Sequence, residues 1–542
     1  MDIMAFIKCQ KLIYDEFGTI KSGSASIVDT VYGQFGTYHA KHTVREKLGR
    51  VLYLSSDKKA GIFLSPTRGL VEYNAITDTF QTVVKEDSRI SKSDIFPEPQ
   101  VHTIFGDVYL LLKFLEKSGL LGVLRSVFPK NKDYGRVLCH VLHGVLKDGS
   151  KITCDNFIIK SFVSYLFSDV PFPSLKSDTV FFAMMGNDTT RMAFFKTFVA
   201  MMRKKHPNFG NGCYVDSTPL PNDIGDNPFN ALCCHGVSSS EVMTRLILVL
   251  DEASGLPVWY DIIPGNVLDI STVMTVINDV ADSLAIEIDS LVLDAGYVSK
   301  ELVGAFHVGT DKTIIGRMPA RRGFPYKELY WEVKELIGKG KYSFVRNHHA
   351  YFGKRKEITL FGQSEYAYIY VDQYNALKRY SDYLIRHEEE YQLLKDKDKD
   401  WFTVKYGYFV LVSNIETTPA QLLSEYFSRV DIETVFKTSK EYLDILPLSK
   451  WTVQTVRGKI LHDIISTIVL LMLRKSVDHA GISISELLGK IQSLMCFRNN
   501  SGLVTVETPC RQVKDYYQLL ATDVPAHVKI DAFLNDVMNA KM

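Results

Sequence analysis

The chain has 542 residues, of which 46% are hydrophobic and 23% are charged, and its mean hydropathy is −0.01. That composition excludes a disordered, collagenous or polytopic membrane protein, and the length predicts about two to four structural units. Sixty-three Lys and Arg against sixty-two Asp and Glu give a net charge of +1, which argues against a surface that is basic all over.

The N-terminal part of the chain changes from strand-like to helical patterning. Residues 1–100 carry short runs such as GRVLYLSS between Gly, Pro and Asp turns, which predict a β-rich unit. Residues 101–208 have apolar side chains at helical spacing, as in VYLLLKFLEKSGLL, which predicts a helical unit. No secretory signal is visible, and eight scattered cysteines without a CxxC pair indicate reduced thiols in the cytosol.

The most regular pattern follows, with two acidic residues at strand ends. CYVDSTPL is expected to be a strand that ends at Asp216, and MTRLILVLD with PVWYDIIPG is expected to form a hairpin beside it. Asp269 is expected to cap a helix, after which SLVLD forms a strand ending at Asp294. If the first and last of these strands are neighbours, Asp216 and Asp294 open onto the same edge of one sheet.

The second half of the chain alternates basic, charged and apolar segments. Residues 311–360 are aromatic and β-like, with twelve Lys and Arg against five Asp and Glu. A charged helix (HEEEYQLLKDKDKD), a strand (YGYFVLVSN) and a helix over residues 420–442 follow. The next predicted helix, Thr452 to Lys475, contains the run IISTIVLLML, which is about half of the ~20 residues that span a bilayer and predicts a buried helix. A helical tail ends the chain.

Four residues in the helix of residues 420–442 lie on one narrow face. Tyr426, Arg429, Glu433 and Lys440 fall within about 60° of arc at ~100° per residue. An exposed amphipathic helix with an Arg429–Glu433 pair is the simpler explanation of that spacing alone. Together with Asp216 and Asp294, however, Glu433 completes a set of three carboxylates.

Three carboxylates of this kind are suited to two divalent metal ions. Hard oxygen ligands bind such ions, which activate a water or 3′-hydroxyl and stabilise the leaving oxygen of a phosphodiester. Arg429, Lys440 and Tyr426, beside the glutamate, would then hold the scissile strand through its phosphates.

The arrangement YVDST … LVLDAG … Y-x2-R-x3-E-x6-K resembles the DDE transposases of bacterial insertion sequences, and within them the cut-and-paste subgroup with the Y-R-E-K signature. The segment PGNVLD and the long interval between Asp294 and Glu433 are also similar to that subgroup. The resemblance covers residues 209–475 well and the flanks only loosely.

The resemblance implies an α/β (α+β multidomain) protein with a ribonuclease-H-like catalytic core. The core comprises residues 209–310 and 412–475 and is interrupted by a β-rich insertion of residues 311–411. Residues 101–208 are expected to bind the DNA ends, and the helical tail of residues 476–542 is a possible site of dimerisation.

The resemblance also implies a metal-dependent reaction on DNA inside the bacterial cell. Two Mg²⁺ ions are expected, with Mn²⁺ able to substitute, and the partners are the double-stranded terminal inverted repeats and target DNA. A homodimer in the synaptic complex, a hairpin intermediate and a cytoplasmic, nucleoid-associated location are expected, without a membrane. In this family an aromatic residue of the insertion can stack on a flipped base, and four candidates are present: Trp331, Tyr342, Tyr351 and Trp401.

Further residues are of types that bind metal ions or DNA. Asp223 and Asp226 fit a turn better than a metal site, and Cys233, Cys234 and His235 are adjacent on one strand and cannot converge on zinc. Contact with phosphate or solvent is expected for His348 and His349 of RNHHAYFGKRK. Contact with DNA is expected for several cations: Arg321, Arg322, Lys450, Arg457 and Lys459. For the last three, at the start of the long apolar helix, a rim of snorkelling side chains is the alternative.

Two other functional classes remain open. One is a transposase-derived DNA-binding protein that no longer cuts, and the other is a metal-dependent nuclease of the same fold. The charge distribution fits a DNA-binding protein in each case, because the net charge of +1 results from acidic and basic segments whose charges cancel. From Asp216 to Asp294 there are thirteen acidic residues and one basic residue, Arg245, whereas residues 311–360 carry an excess of seven cations.

Overall fold

The computed structural model describes most of the chain, in segments separated by short gaps. The described residues are 4–14, 20–31, 41–65, 68–83, 87, 89–90, 102–146, 157–158, 160–167, 175–222, 224, 227–232, 241–267, 272–346, 348–428, 448, 450–498 and 503–541. Two compact units result, Met1–Val101 and His102–Met542.

The first unit is one antiparallel sheet in which each strand pairs with the next along the chain. Alternate side chains of the strands, among them Ile27, Phe63 and Tyr73, form its apolar core. The strands are β1 (Met4–Tyr14), β2 (Ile20–Val31), β3 (Lys41–Leu54), β4 (Ala60–Ser65), β5 (Gly69–Asn74) and β6 (Thr79–Thr82).

The second unit begins with a short strand, β7 (Thr103–Ile104), and a group of helices whose apolar faces are buried together. Asn187 caps the last of them by accepting a hydrogen bond from the Thr189 amide. The helices are α1 (Gly106–Ser118), α2 (Leu120–Val127), α3 (Asn131–Leu146), α4 (Val163–Leu166), α5 (Leu175–Met185) and α6 (Asp188–Lys205).

A ten-stranded mixed sheet forms the centre of this unit. Its strands lie in the order β11 (Pro257–Pro264), β10 (Val242–Asp251), β8 (Gly212–Pro221), β12 (Ser290–Leu293), β13 (Thr313–Arg317), β17 (Tyr408–Ser413), β16 (Gln363–Asp372), β15 (His349–Leu360) and β14 (Ser343–Arg346), with β9 (Ala231–Leu232) paired to β10. Its first part combines an antiparallel hairpin, β10–β11, with strands β12 and β13 that run parallel to β8. The elements are β8 (Gly212–Pro221), β9 (Ala231–Leu232), β10 (Val242–Asp251), β11 (Pro257–Pro264), α7 (Val273–Leu284), β12 (Ser290–Leu293), α8 (Lys300–Ala305) and β13 (Thr313–Arg317).

The second part of the sheet continues directly from the first. Strand β13, which begins at Thr313, pairs with β12 on one side and with β17 (Tyr408–Ser413) on the other, and the insertion boundaries of residues 311–411 stay a prediction. The remaining strands extend the same sheet by antiparallel pairing. The elements are α9 (Tyr326–Tyr330), α10 (Val333–Leu336), β14 (Ser343–Arg346), β15 (His349–Leu360), β16 (Gln363–Asp372), α11 (Gln373–Arg386), α12 (Glu388–Gln392), α13 (Asp396–Lys405) and β17 (Tyr408–Ser413).

Two helices complete the core, α14 (Pro419–Ser428) and α15 (Val453–Val477). Helix α15 contains the run Ile464–Leu473 and is buried along most of its length, as the sequence predicts. A capping box between Thr452 and Thr455 begins it. Among the helices of the described segments, none is long and apolar enough to cross a bilayer.

The expected all-helical tail is wrong, because residues 476–542 also contain strands. Three strands pair with one another and, through Met495 and Cys496, with β7 at the start of the unit. Each strand has only three or four residues, too few for an alternating pattern to appear in the sequence. The elements are α16 (Ile484–Ile491), β18 (Met495–Arg498), β19 (Leu503–Val506), α17 (Arg511–Leu519), β20 (His527–Lys529) and α18 (Ile530–Met538).

Candidate active site

Two predicted acidic residues lie side by side in the central sheet. Strands β8 and β12 are parallel neighbours, and their last paired residues are Val215 and Leu293. Asp216 and Asp294 each follow by one position, so both carboxylates project from the same face of the sheet. The condition under which the sequence predicts a shared edge, that these two strands are neighbours, is therefore met.

The expected end of the first strand at Asp216 is wrong, because β8 continues to Pro221. Beyond Val215 it remains paired with β10 through Pro221, whereas β12 has ended at Leu293. A strand with one free edge accepts prolines whose missing N–H would face that edge, and Pro219 and Pro221 occupy this stretch. Asp216 is therefore held in the middle of a strand and not in a turn.

Helix α14 crosses the same face and contacts both strands. The Tyr426 hydroxyl donates a hydrogen bond to Asp294 Oδ1 at 3.3 Å. At the end of the helix, the hydroxyls of Ser428 and Tyr214 lie 2.6 Å apart, and Tyr214 is two residues before Asp216. Tyr426 is only 3% exposed, so its phenol is part of the packing of the helix on the sheet.

An arginine on β14 also contacts α14 and helps to hold it in place. Arg346 on β14 donates from Nε to Ser424 Oγ at 3.1 Å and from Nη2 to the Ser424 carbonyl at 3.0 Å. Its guanidinium also lies 4.8 Å from the ring centre of Phe427, and partial burial lowers its pKa. Strand β14 therefore helps to fix the helix that precedes Glu433.

Three members of the predicted Y-R-E-K face, Arg429, Glu433 and Lys440, lie outside the described residues. Within the described segments, no cluster of three or more His, Cys, Asp or Glu side chains forms a metal site. Asp216 and Asp294 supply two carboxylates of the hard-oxygen type that Mg²⁺ prefers, and α14 leads the chain from their face toward Glu433.

Arg245 is a buried cation that the sequence motifs do not include. It is 6% exposed, and its Nη2 donates to Ser217 Oγ at 2.5 Å, directly after Asp216. The pairing of Arg245 with Pro219 and of Ile247 with Ser217 puts this contact on the face opposite Asp216. A lone arginine among thirteen acidic residues was the signal that could have identified it.

Negative charge accumulates next to α14. Burial raises the pKa of Glu252, and the charges of Glu425 and Asp251 raise it further. Burial also raises the pKa of Glu425 itself. The acidic segment between the two aspartates thus contains carboxyl groups that are partly desolvated and repel one another.

The predicted DNA-contacting cations occupy different environments. Arg321 and Arg322 are both exposed, and Arg321 donates to the Val298 carbonyl at 3.0 Å. Arg457 pairs with Asp188 at 2.7 Å. Lys459 is 5% exposed and pairs with Asp463 at 2.9 Å, so its ammonium lies inside the protein and cannot reach a DNA backbone.

Lys450 is half-buried, and its ammonium lies 4.6 Å from the ring centre of Phe182. Burial lowers its pKa. His349 lies 3.2 Å from Asp372, so a carboxylate is its partner, whereas His348 is exposed at a backbone φ of 65°.

The four candidate stacking aromatics differ in exposure. Trp331 is 47% exposed, and the ammonium groups of Lys334 and Lys397 lie 5.4 and 4.9 Å from its ring centre. Tyr351 is buried, Trp401 packs edge-on against Tyr330 at 4.4 Å, and Tyr342 is half-buried.

Several other sequence predictions concern residues outside the described segments, namely Asp223, Asp226, Cys233, Cys234, His235 and Asp269. Helix α7, which Asp269 was expected to cap, begins at Val273.

Comparison with known proteins found a similarity in the region that contains this site. Residues 208–465 match the family described as "Transposase DDE domain". A comparison with curated protein sequences gave no match. Among solved structures, the chain is similar to a cryo-EM structure of a piggyBac transposase synaptic complex with hairpin DNA, at 10% identity and a TM-score of 0.39, over 81% of this chain and 86% of that one.

Proposed function

We propose that this chain, whose residues 208–465 match a transposase DDE domain, is a DNA transposase that cuts and joins phosphodiester bonds at the ends of its element. The observation that carries the proposal is the placement of Asp216 and Asp294 on one face of adjacent parallel strands, with α14 held over them by Tyr426. The antiparallel hairpin beside β8, followed by two parallel strands, supports a ribonuclease-H-like core.

Asp216, Asp294 and Glu433 would hold two Mg²⁺ ions, or Mn²⁺ in their place. Carboxylate oxygens are the ligands that such ions prefer, and the first two residues already share one face. When bound, the ions would activate the attacking oxygen and stabilise the leaving oxygen of an in-line displacement.

The protein's own residues position this site. Because Tyr426 donates to Oδ1 of Asp294, it fixes the orientation of that carboxylate. The Ser428–Tyr214 contact fixes the end of α14, one residue before Arg429. A helix held at both points has little freedom to shift relative to Asp216. In the sequence Glu433 follows the end of this helix by five residues.

DNA would contact the cations around this edge. Arg429 and Lys440, on the predicted Y-R-E-K face, and the exposed Arg322 are suited to the phosphate backbone. Arg457 could join them by exchanging Asp188 for a phosphate. If the reaction passes through a hairpin, Trp331 is the best-suited base-stacking residue, because its ring is half-exposed and flanked by two lysines. We also propose a homodimer that pairs two element ends in the bacterial nucleoid.

The proposal is tested with purified protein, Mg²⁺ and duplex DNA carrying the inverted repeats that flank the gene. The wild-type chain should nick these ends and join them to target DNA. Asp216→Asn, Asp294→Asn and Glu433→Gln should each reduce both steps to background while leaving end binding largely intact, because each removes one anionic ligand. Asp311→Asn, an exposed acid in the same unit, is the matched control and should react as the wild type does.

The alternatives give different results in the same experiment. A DNA-binding protein that no longer cuts would bind the ends without nicking them, and a nuclease would nick without joining. Activity without a divalent metal ion, or full activity in all three variants, would contradict the two-metal mechanism.

A further inference from the structure

A third charged residue lies on the neighbouring strand, level with Asp216 and Asp294 in the sheet. Strand β13 is parallel to β12, and their last paired residues are Leu293 and Gly316. Asp294 and Arg317 each follow by one position, just as Asp216 follows Val215 on β8. Three neighbouring strands therefore carry Asp216, Asp294 and Arg317 at equivalent positions on the same face.

The side chain of Arg317 projects to the face that α14 covers. Arg317 pairs across the sheet with Leu411 of β17, which belongs to the same apolar cluster as Leu422, Leu423 and Tyr426 of α14. Its guanidinium lies 5.6 Å from the ring centre of Phe409, a further member of that cluster. This aromatic contact holds the guanidinium beside the acidic edge.

Arg317 is exposed, and within the described part of the chain it forms no ion pair with a carboxylate. Other cations of the basic stretch are engaged. Lys354 and Lys356 pair with Glu332 at 2.7 and 2.5 Å, and Arg355 pairs with Glu416 at 2.7 Å. Arg346 is bound to α14. The guanidinium of Arg317 thus keeps its donors available at the edge where the acidic residues meet.

We propose that Arg317 is a phosphate-binding residue of the cleaved DNA strand, holding the scissile phosphate or the one next to it. A guanidinium presents a planar pair of N–H donors that matches two phosphate oxygens, and it stays charged at every working pH. Beside two carboxylates that repel DNA, one fixed cation would set the position at which the strand enters the site. This inference rests on the proposed transposase function and adds a substrate contact to it.

The test combines Arg317 variants with DNA in which one phosphate is made neutral. Arg317→Ala should slow nicking about 10- to 100-fold in single-turnover reactions, and Arg317→Lys should recover part of that loss. A methylphosphonate at the contacted phosphate should slow the wild type by a similar factor but should hardly slow Arg317→Ala, because the contact is already lost. With a methylphosphonate at any other phosphate, the slowing caused by the neutral phosphate and the slowing caused by Arg317→Ala should multiply.

Binding supplies a readout that does not require cutting. Without divalent metal, Arg317→Ala should lower the slope of log K against log salt concentration by about one, the contribution of one phosphate contact. Arg355→Ala, which removes a cation already paired with Glu416, is the matched control and should leave both the slope and the nicking rate unchanged.

The outcomes separate this inference from the proposed function. Wild-type nicking that Asp294→Asn abolishes, with Arg317→Ala cutting and binding like the Arg355→Ala control, would overturn the role of Arg317 alone. A wild-type protein that never nicks would overturn the transposase function, and an unchanged salt slope in Arg317→Ala would then reject the phosphate contact as well.

Discussion

Glu365 is a buried acid that lies apart from the proposed site. Its side chain is fully buried on the face of β16 that also carries Ala367 and Ile369, and neither carboxyl oxygen has a hydrogen-bond partner among the described residues. Burial raises its pKa to about 8. The carboxyl group is therefore neutral in the folded protein at neutral pH and ionised in the unfolded chain.

This difference predicts a stability that falls with rising pH. Between the ordinary pKa of 4.5 and about 8 the folded state holds one more proton than the unfolded state, so the free energy of unfolding decreases by up to about 1.4 kcal/mol per pH unit. Glu365→Gln should remove this dependence and be the more stable protein at pH 8.5. Denaturant unfolding of both proteins at pH 5.5 and 8.5 measures it, and parallel behaviour of the two would show that Glu365 does not titrate in this range.

Single residues differ in how far the sequence determines their role. Asp216 and Asp294 were identified because each follows an apolar run, and a parallel pairing in register brings them together. The position of Arg317 in the same row was not visible, because it depends on which strand lies next to β12. The burial of Lys459 was missed because charge alone does not say which side of a helix packs inward.

At the scale of elements, two glycines allow helices to cross at very short distance. A Cβ atom built on Gly186, directly after α5, would lie 1.7 Å from the Gln454 carbonyl oxygen, and one on Gly458 of α15 would lie 1.8 Å from that of Phe182. Neither neighbour is a flexible side-chain end, so a methyl group must push the backbones apart. The backbone of the long buried helix, α15, therefore packs directly against the group of helices α1 to α6.

Gly458→Ala should therefore destabilise the protein by about 1–3 kcal/mol, in spite of the better helix propensity of alanine. Gly489→Ala in α16 is the matched control, because nothing lies within 4 Å of the added Cβ. That variant should be neutral or up to about 1 kcal/mol more stable. Thermal unfolding measured side by side checks both, and an equal response of the two variants would mean that the crossing relaxes without cost.

The sequence pattern correctly predicts whether an element is a helix or a strand where the segment is long. The apolar spacing of residues 101–208 and the run in α15 predict helices that the structure contains. The order of strands in the sheet was not predictable in the same way, because pairing partners decide it, and β13 looks like any other short strand until it is seen between β12 and β17.

At the scale of the whole molecule, the chain divides between Val101 and His102. Immediately after that division, Thr103 and Ile104 pair with β18, and the ring of Phe105 stacks on Tyr109 at 4.8 Å and contacts Phe162 at 4.9 Å. The first residues of the second unit are therefore part of its core.

A protein that begins at His102 should consequently be folded and should retain metal-dependent nicking. One that begins at Asp107 should lose about 3–5 kcal/mol from the absence of Phe105 alone, with the β7 pairing in addition. Soluble yield and the thermal unfolding midpoint of the two truncated proteins measure the difference. Identical stability would show that β7 and Phe105 are dispensable.

The pairing of β7 with β18 joins two segments that are synthesised at very different times. Thr103 and Cys496, whose side chains are hydrogen-bonded, are separated by 393 positions in the chain. At about 5–20 residues per second, a ribosome needs on the order of 20–80 s to make that interval. During that period the partner strand of Thr103 has not yet been made, so the second unit can complete its fold only after Cys496 has been synthesised.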